Sequence, residues 1–397
     1  MRVPNLSRRA FMAAATLSLP LAGCSMSMNQ EPRPSPSFDS ADTLWPRVGH
    51  DRQFTSSTAV SLPDGPLQAE RILTVGRDDR DDGPTVVDGQ LAVATEGTDA
   101  TTARTVFRDI QTETEVWSID GLVDYTTPSV YGNVVILSGN GHTTAVYRDT
   151  GTILWEFDGG ASGTYMSQLL HDETLAVVSD GRVVALDAQS GSRRWTSPEL
   201  RTPYAISGDS DRIFVSSQYK DKHSVSALDW ESGEQEWFRT DVSSVSVPVV
   251  SDEFVYYVDS VAGVLEALAP TDGSPVWSRT IRGISAPPAL TPSGSSLVVS
   301  SEESGQTTVR DAATGAVEWS SNAVAQFQPV VTESSLFIPG YDTLYRVSRE
   351  EERVVDQVSF AGPITSPVML TSDGCCVTAG TVDNQYAVYH LTASQNA

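Results

Sequence analysis

From about Pro84 onward the sequence repeats itself roughly every 40 residues, the period at which a chain is built from stacked supersecondary units rather than from separate domains. Each copy opens on a Pro, passes through a β-rich segment and a second apolar run such as Val134-Val135-Ile136-Leu137, and ends on a polar turn with a Trp four residues after a Gly. The plainest turns are Ala185-Leu186-Asp187-Ala188-Gln189-Ser190-Gly191 with Trp195, and Ala227-Leu228-Asp229 followed by Gly233 and Trp237. Gly151 with Trp155, Gly273 with Trp277 and Gly315 with Trp319 keep the same spacing. Trp117 closes an earlier copy in which Asp109 is kept and Glu113 replaces the Gly, and Val355 closes a weaker one with Glu351 at that position.

The spacing describes a tight hairpin: Asp and Ser or Thr bond back to turn amides, and Gly supplies the positive φ. The Trp then falls on the outer strand of its unit, where a ring burying on the order of 200 Å² fills the wedge between twisted neighbours. This gives Trp117, Trp155, Trp195, Trp237, Trp277 and Trp319 a blade-locking role. The opening prolines Pro84, Pro128, Pro203, Pro248, Pro288, Pro329 and Pro367, with Gln168 filling the one gap, give eight starts. The last copy has room for only three strands, while residues 68–75 form a spare alternating stretch ahead of the first copy. The expected fold is therefore all-β: an eight-bladed β-propeller of four-stranded antiparallel blades, its ring closed by the N-terminal strand joining the last blade, with no open edge.

The N-terminus carries an address rather than fold. Ser7-Arg8-Arg9-Ala10-Phe11-Met12 precedes a short apolar run and then Leu21-Ala22-Gly23-Cys24. The pair Arg8 and Arg9 with Phe11 resembles the twin-arginine (Tat) export motif, and the last four residues resemble a lipobox, which makes Cys24 a lipid anchor and the new N-terminus. The apolar run is too short to span a bilayer, which takes about 20 residues. Residues 1–24 thus read as a lipoprotein signal peptide, 25–44 as a flexible Ser- and Pro-rich linker, and 45–397 as the propeller.

Asp and Glu number 51 against 26 Lys and Arg, for a net charge of −25. The only lysines are Lys220 and Lys222. Such a surface repels nucleic acid and anionic headgroups, and its lack of lysine points to a halophilic source, where salt shortens the Debye length to roughly 3 Å at 1 M.

The copies resemble the PQQ-like repeat, and Trp45-Pro46-Arg47-Val48-Gly49-His50-Asp51 with Thr55 looks like the lead-in of that family's exported members. The resemblance runs over about residues 45–391. It implies a propeller and leaves function open among quinoprotein dehydrogenases holding PQQ and Ca²⁺, BamB-like lipoproteins that scaffold without a cofactor, and ligand-sensing propellers.

Chemistry-bearing residues are sparse. Cys375-Cys376 is similar to the adjacent half-cystines that pack on the quinone in PQQ alcohol dehydrogenases. Counted from the opening Pro, however, the pair coincides with Val134-Val135, Val255-Tyr256 and Leu336-Phe337, in the apolar second strand where Cys acts as a small buried hydrophobe. The histidines His50, His142, His171, His223 and His390 are scattered without ligand spacing and read as solvated positions. The acidic run Asp78-Asp79-Arg80-Asp81-Asp82-Gly83 lacks the alternation of a calcium loop. Tyr125, Tyr165, Tyr204 and Phe327 lie near blade starts as candidate ligand contacts. No phosphate loop or nucleophile elbow occurs.

The reading is a non-catalytic propeller without cofactor, exported and anchored through Cys24 to the outer face of the cytoplasmic membrane, with a protein partner at its loops and no nucleic acid. The alternatives are a PQQ- and Ca-dependent dehydrogenase and a sensor for an extracellular sugar or peptide.

Overall fold

The computed structural model describes residues 35–38, 50–60, 62–63, 65–75, 85–87, 91–96, 104–109, 112, 114–120, 128–139, 141–160, 168–219, 222–243, 246–284 and 286–393. Cys24, Arg8, Arg9, Phe11, residues 45–49, Asp78 to Gly83, Pro84, Glu113, Tyr125 and Tyr165 lie outside them. Among the described residues there is no helix, and the strands form eight four-stranded antiparallel sheets.

Blades 1 to 7 are each made from one continuous stretch: 85–120, 129–158, 168–196, 202–242, 249–280, 289–321 and 330–359. Within each, the strands pair in sequence order, so every connection is a hairpin. Blade 8 takes three strands from 369–393 and its outermost strand, Leu67–Val75, from the other end of the chain. That strand pairs from Leu67 opposite Ala393 to Val75 opposite Tyr386, which closes the ring and covers an edge that would otherwise face solvent.

The opening prolines sit where a missing N–H does least harm. Pro128, Pro248, Pro288 and Pro329 immediately precede innermost strands, whose free edges face the axis rather than a neighbour in the sheet. Gln168 heads the innermost strand Gln168–His171 of blade 3. Its amide nitrogen donates to Ser129 Oγ at 2.9 Å, and its Oε1 accepts from Ser138 Oγ at 2.8 Å, so it ties blade 3 to blade 2.

The outer-strand tryptophans dock on the turn of the next blade. Nε1 of Trp117, Trp155, Trp195, Trp237 and Trp277 donates to the backbone oxygen of Arg148, Ala188, Trp230, Pro270 and Ala312, respectively. The Gly three residues beyond each carbonyl lies against the ring, and an added Cβ on Gly151, Gly191, Gly233, Gly273 or Gly315 would come within 2.3–2.8 Å of the Trp docked there. Positive φ and close approach therefore demand Gly at the same place. Asp187, Asp229 and Asp311 fix the turns by accepting from the backbone and hydroxyl of Ser190, Ser232 and Thr314. Trp319, half-buried, packs against the core shared by blades 6 and 7, as do Tyr345 and Val354.

Two register expectations need correction. In blade 7, Ser348 takes the Asp position, accepting from Glu351 N at 3.1 Å and pairing with Arg353. The positive φ of 54° then falls on Glu352 rather than Glu351, and the Trp position is Asp356, opposite Arg346, rather than Val355. In blade 2, Val134 pairs with Tyr131 at the hairpin end, so Cys375 and Cys376, opposite Leu370 and Met369, correspond to Val135 and Ile136 rather than Val134-Val135.

The substitution in blade 7 serves the closing seam. Buried Arg346 reaches Gly65 O at 3.2 Å and Ser335 Oγ at 3.2 Å, and the Asp356 carboxylate accepts from Leu67 N. A polar grip on the incoming first strand thus stands where other blades use a docked ring.

Candidate functional site

Residues 50–58 form a strap at the end of the propeller that carries the turns between the first and second and between the third and fourth strands of the blades. Gly208 N, Val250 N, Leu290 N and Val331 N donate to the backbone oxygens of Arg52, Gln53, Thr55 and Ser56 at 2.8–2.9 Å. These amides belong to the innermost strands of blades 4, 5, 6 and 7, so the strap satisfies inner-edge donors that would otherwise be left to solvent. It begins at blade 3, where Arg52 Nη1 lies 2.6 Å from His171 Nδ1.

The Asp51…Thr55 spacing of the lead-in now has a structural reason. Asp51 Oδ1 accepts from Thr55 N at 3.0 Å and Asp51 O accepts from Phe54 N at 3.2 Å. The turn holds Phe54 at a φ of 60°, a left-handed conformation costing roughly 1–2 kcal/mol for a residue with a Cβ. Burial offsets that cost: Phe54 is fully buried in one cluster with Ala205, Val249 and Leu290, and its carbonyl accepts from the side-chain amide of buried Gln328 at 3.0 Å. The chain just before the strap is held at the same end, by Ser37 N donating to Asn133 Oδ1 at 2.7 Å in the first hairpin of blade 2. Sequence reasoning missed the strap, although the Asp51…Thr55 pair was its signal.

Two clefts open on this end. One of about 370 Å³ lies between the hairpins of blades 5 and 6, around Phe254 and Gly294. The other, about 640 Å³, lies between blades 3 and 4 and is lined by His171, Glu173, Arg194, Trp195, Trp230 and Glu231. In it the His171 and Trp230 rings lie 5.4 Å apart, and Arg194 bonds Asp187 at 2.7 Å and Thr174 at 2.6 Å. The Arg194 bond, with help from Ser190, holds the Asp187 carboxyl below its usual range. Trp230, which belongs to no outer strand, donates from Nε1 to Asp209 O at 2.9 Å and is buried.

The histidines are not the solvated set that their scatter suggests. Only His142 is exposed; His50, His171, His223 and His390 are half-buried, each beside a partner such as Asp51, Arg52, Tyr204 or Asp373. They sit in separate places, and among the described residues no three of His, Cys, Asp and Glu come together as metal ligands. Tyr204 packs between the cores of blades 4 and 5, and burial raises its phenol pKa. Phe327 packs against the core of blades 7 and 8. The structure brings neither to a common site.

Cys375 and Cys376 lie in the second strand of blade 8, Gly374–Gly380, as free thiols buried among Met369, Val377 and Leu391. Fully buried side chains one strand away from the axis do not fit a quinone-stacking role. Burial pushes the Cys375 thiol up to about 12 from an ordinary 9.0 and raises Cys376 as well. Both are therefore protonated and unreactive near neutral pH. The folded state holds the Cys375 proton more tightly than the unfolded chain does, so this contribution to stability is complete below pH 9 and is lost as pH climbs toward 12. At pH 8 a thiol-reactive reagent is expected to leave both cysteines unmodified in the folded chain and to label both after denaturation. Rapid labelling of native protein, or a disulfide in the unfolded digest, would contradict this arrangement.

The family described as outer membrane protein assembly factor BamB matches residues 58–279 and 261–355. Among solved structures, BamB from Moraxella catarrhalis is 16% identical, with a TM-score of 0.57 over 81% of this chain and 100% of that one. A europium-containing methanol dehydrogenase is 13% identical, TM-score 0.63, over 88% and 90%. The quinohemoprotein alcohol dehydrogenase from Comamonas testosteroni is 11% identical, TM-score 0.64, over 89% and 81%. At these identities the likeness is one of fold. No curated protein matches the sequence.

Proposed function

This chain belongs to the repeat family described as outer membrane protein assembly factor BamB, and from that premise we propose that it is an exported, membrane-tethered propeller that scaffolds protein contacts without catalysis. Residues 1–24 direct export and Cys24 carries the lipid; residues 25–44 are the tether. The surplus of acid over base, 51 to 26, suits work in concentrated salt.

The observation that carries this reading is the strap. It runs its backbone along the innermost strands, seats Phe54 in the core shared by blades 4 to 6, and connects the tether side of the chain to blades 3 through 7. A pull on the anchor is thereby spread over five blades before it reaches the outer strand of blade 8. The buried thiols, which present no surface to a quinone, also favour a scaffold over a quinone-dependent dehydrogenase. A sensor reading has one feature in its favour, the cleft floored by Trp195 and Trp230 between blades 3 and 4.

Calorimetric titration of the full chain with PQQ and Ca²⁺ in high salt, followed by a dye-linked alcohol oxidation assay, tests the proposal. The expected result is neither binding heat nor turnover. Tight calcium-dependent binding with turnover would replace the scaffold with an enzyme.

A further inference from the structure

Tyr341, 67% exposed, and Val382, 83% exposed, stand in the loops joining the second and third strands of blades 7 and 8. Between them runs the connection from blade 7 to blade 8. It is fixed by bonds from Phe360 N to Asp342 O at 2.8 Å, Ile364 N to Tyr341 O at 2.7 Å and Gly380 N to Pro363 O at 2.9 Å. Ala361 and Pro363 of this connection are exposed as well. Four apolar side chains thus form one ridge on a backbone already held in place.

The ridge differs from the other exposed large apolar residues of the described chain. Val116, Ile153, Phe238, Val276, Val317 and Val355 lie singly on outer strands, one to a blade, and Val261 stands by itself in the second-to-third-strand loop of blade 5; scattered residues of that kind are ordinary. Tyr341 and Val382 instead sit together at the end opposite the strap and the Ser37–Asn133 contact, the end a tethered molecule leaves free. A rigid aromatic beside aliphatic groups is the composition of an anchor point. Exposed Asp342 and Asp383 flank it, and residues 340–342, 360–365 and 381–385 contain no Arg, Lys or His.

Resting on the scaffold reading, we propose that this ridge docks a segment of a partner protein in which aliphatic or aromatic side chains are flanked by Lys or Arg. A second copy of the chain would bring its own Asp342 and Asp383 against the first pair, and an anionic membrane surface would be repelled in the same way. A basic partner segment meets the charge, and its apolar side chains cover the ridge. In high salt, where the charge attraction is screened, the apolar contact carries the affinity.

The test selects binders from a random-peptide display library against the immobilised full chain and measures them on two double variants. Enriched peptides are expected to combine apolar residues with Lys or Arg. They should lose about 30-fold or more in affinity on Tyr341→Ser with Val382→Ser, while Val276→Ser with Val317→Ser leaves binding unchanged. An unchanged thermal midpoint for the first variant excludes a folding defect. Peptides that bind the first variant as tightly as the parent overturn the ridge and leave the scaffold standing. Failure to select any peptide counts against both. A change in sedimentation on Tyr341→Ser would make the occupant a second copy and overturn the proposal.

Discussion

Gly191→Val is expected to destabilise the propeller by roughly 3–4 kcal/mol. Gly191 has a φ of 67°, where a β-branched residue is an outlier, and the conformational part alone costs about 1–2 kcal/mol. The rest comes from the Trp155 ring, whose Cδ2 would lie 2.6 Å from the new Cβ. The ring cannot retreat cheaply, because its Nε1 is bonded at 2.8 Å to Ala188 O in the same turn. Overpacking at such a contact typically costs about 1–3 kcal/mol. Gly305→Val is the control: its φ is also 67°, and nothing lies within 4 Å of its added Cβ, so only the conformational cost of about 1–2 kcal/mol applies. Thermal unfolding of the two variants separates the terms. Equal losses would mean that the ring is not held against the turn.

The same turns explain how much of the fold was legible. An Asp, a Ser or Thr three residues on, a Gly and then a Trp form one local unit, in which each residue has a partner within the turn or on the adjoining blade. Because that unit repeats, blade number, strand order and the spare strand 68–75 could all be read without coordinates. The errors came where the local rule was replaced. In blade 7 the closing strand is gripped by Arg346 and Asp356, so the Gly and Trp positions hold Glu352 and Asp356 and the spacing had no landmark. The equivalences of Cys375-Cys376 with Val255-Tyr256 and Leu336-Phe337 hold, and only the one in blade 2 slipped by one residue, because its first hairpin adds a third pair, Tyr131 with Val134, and so starts the apolar strand one residue earlier.

The strap and the ridge left weaker traces. The Phe54 carbonyl meets Gln328, 274 residues away, and a bond between backbone and a distant strand edge requires no particular side chain. The ridge depends on three loop segments brought together by backbone bonds, with no periodicity among them. The ends of the propeller are where function is sought, and they are also where the repeat stops dictating sequence.

Phe54→Ala should loosen the strap while leaving the blades assembled. Removing a fully buried Phe costs about 3–5 kcal/mol; here the loss falls on a segment whose remaining hold is a row of backbone bonds, the Gln328 bond to the carbonyl of residue 54 and the Arg52–His171 contact. The Trp–turn hydrogen bonds that join blades 1 through 6 involve none of residues 50–58, so the ring keeps its own source of cohesion even though Phe54 shares a core cluster with Trp277. Hydrogen exchange gives the distinguishing readout. The amides of Gly208, Val250, Leu290 and Val331, which donate to the strap, should exchange on the order of 100-fold or more faster, as each 1.4 kcal/mol of easier local opening is tenfold. Amides within the second and third strands of the same blades should keep their protection. Uniform acceleration across all strands, with a fall in the thermal midpoint on the order of 5–10 °C, would instead make the strap part of the ring's cooperative core. The strap would then be inseparable from what holds the propeller together.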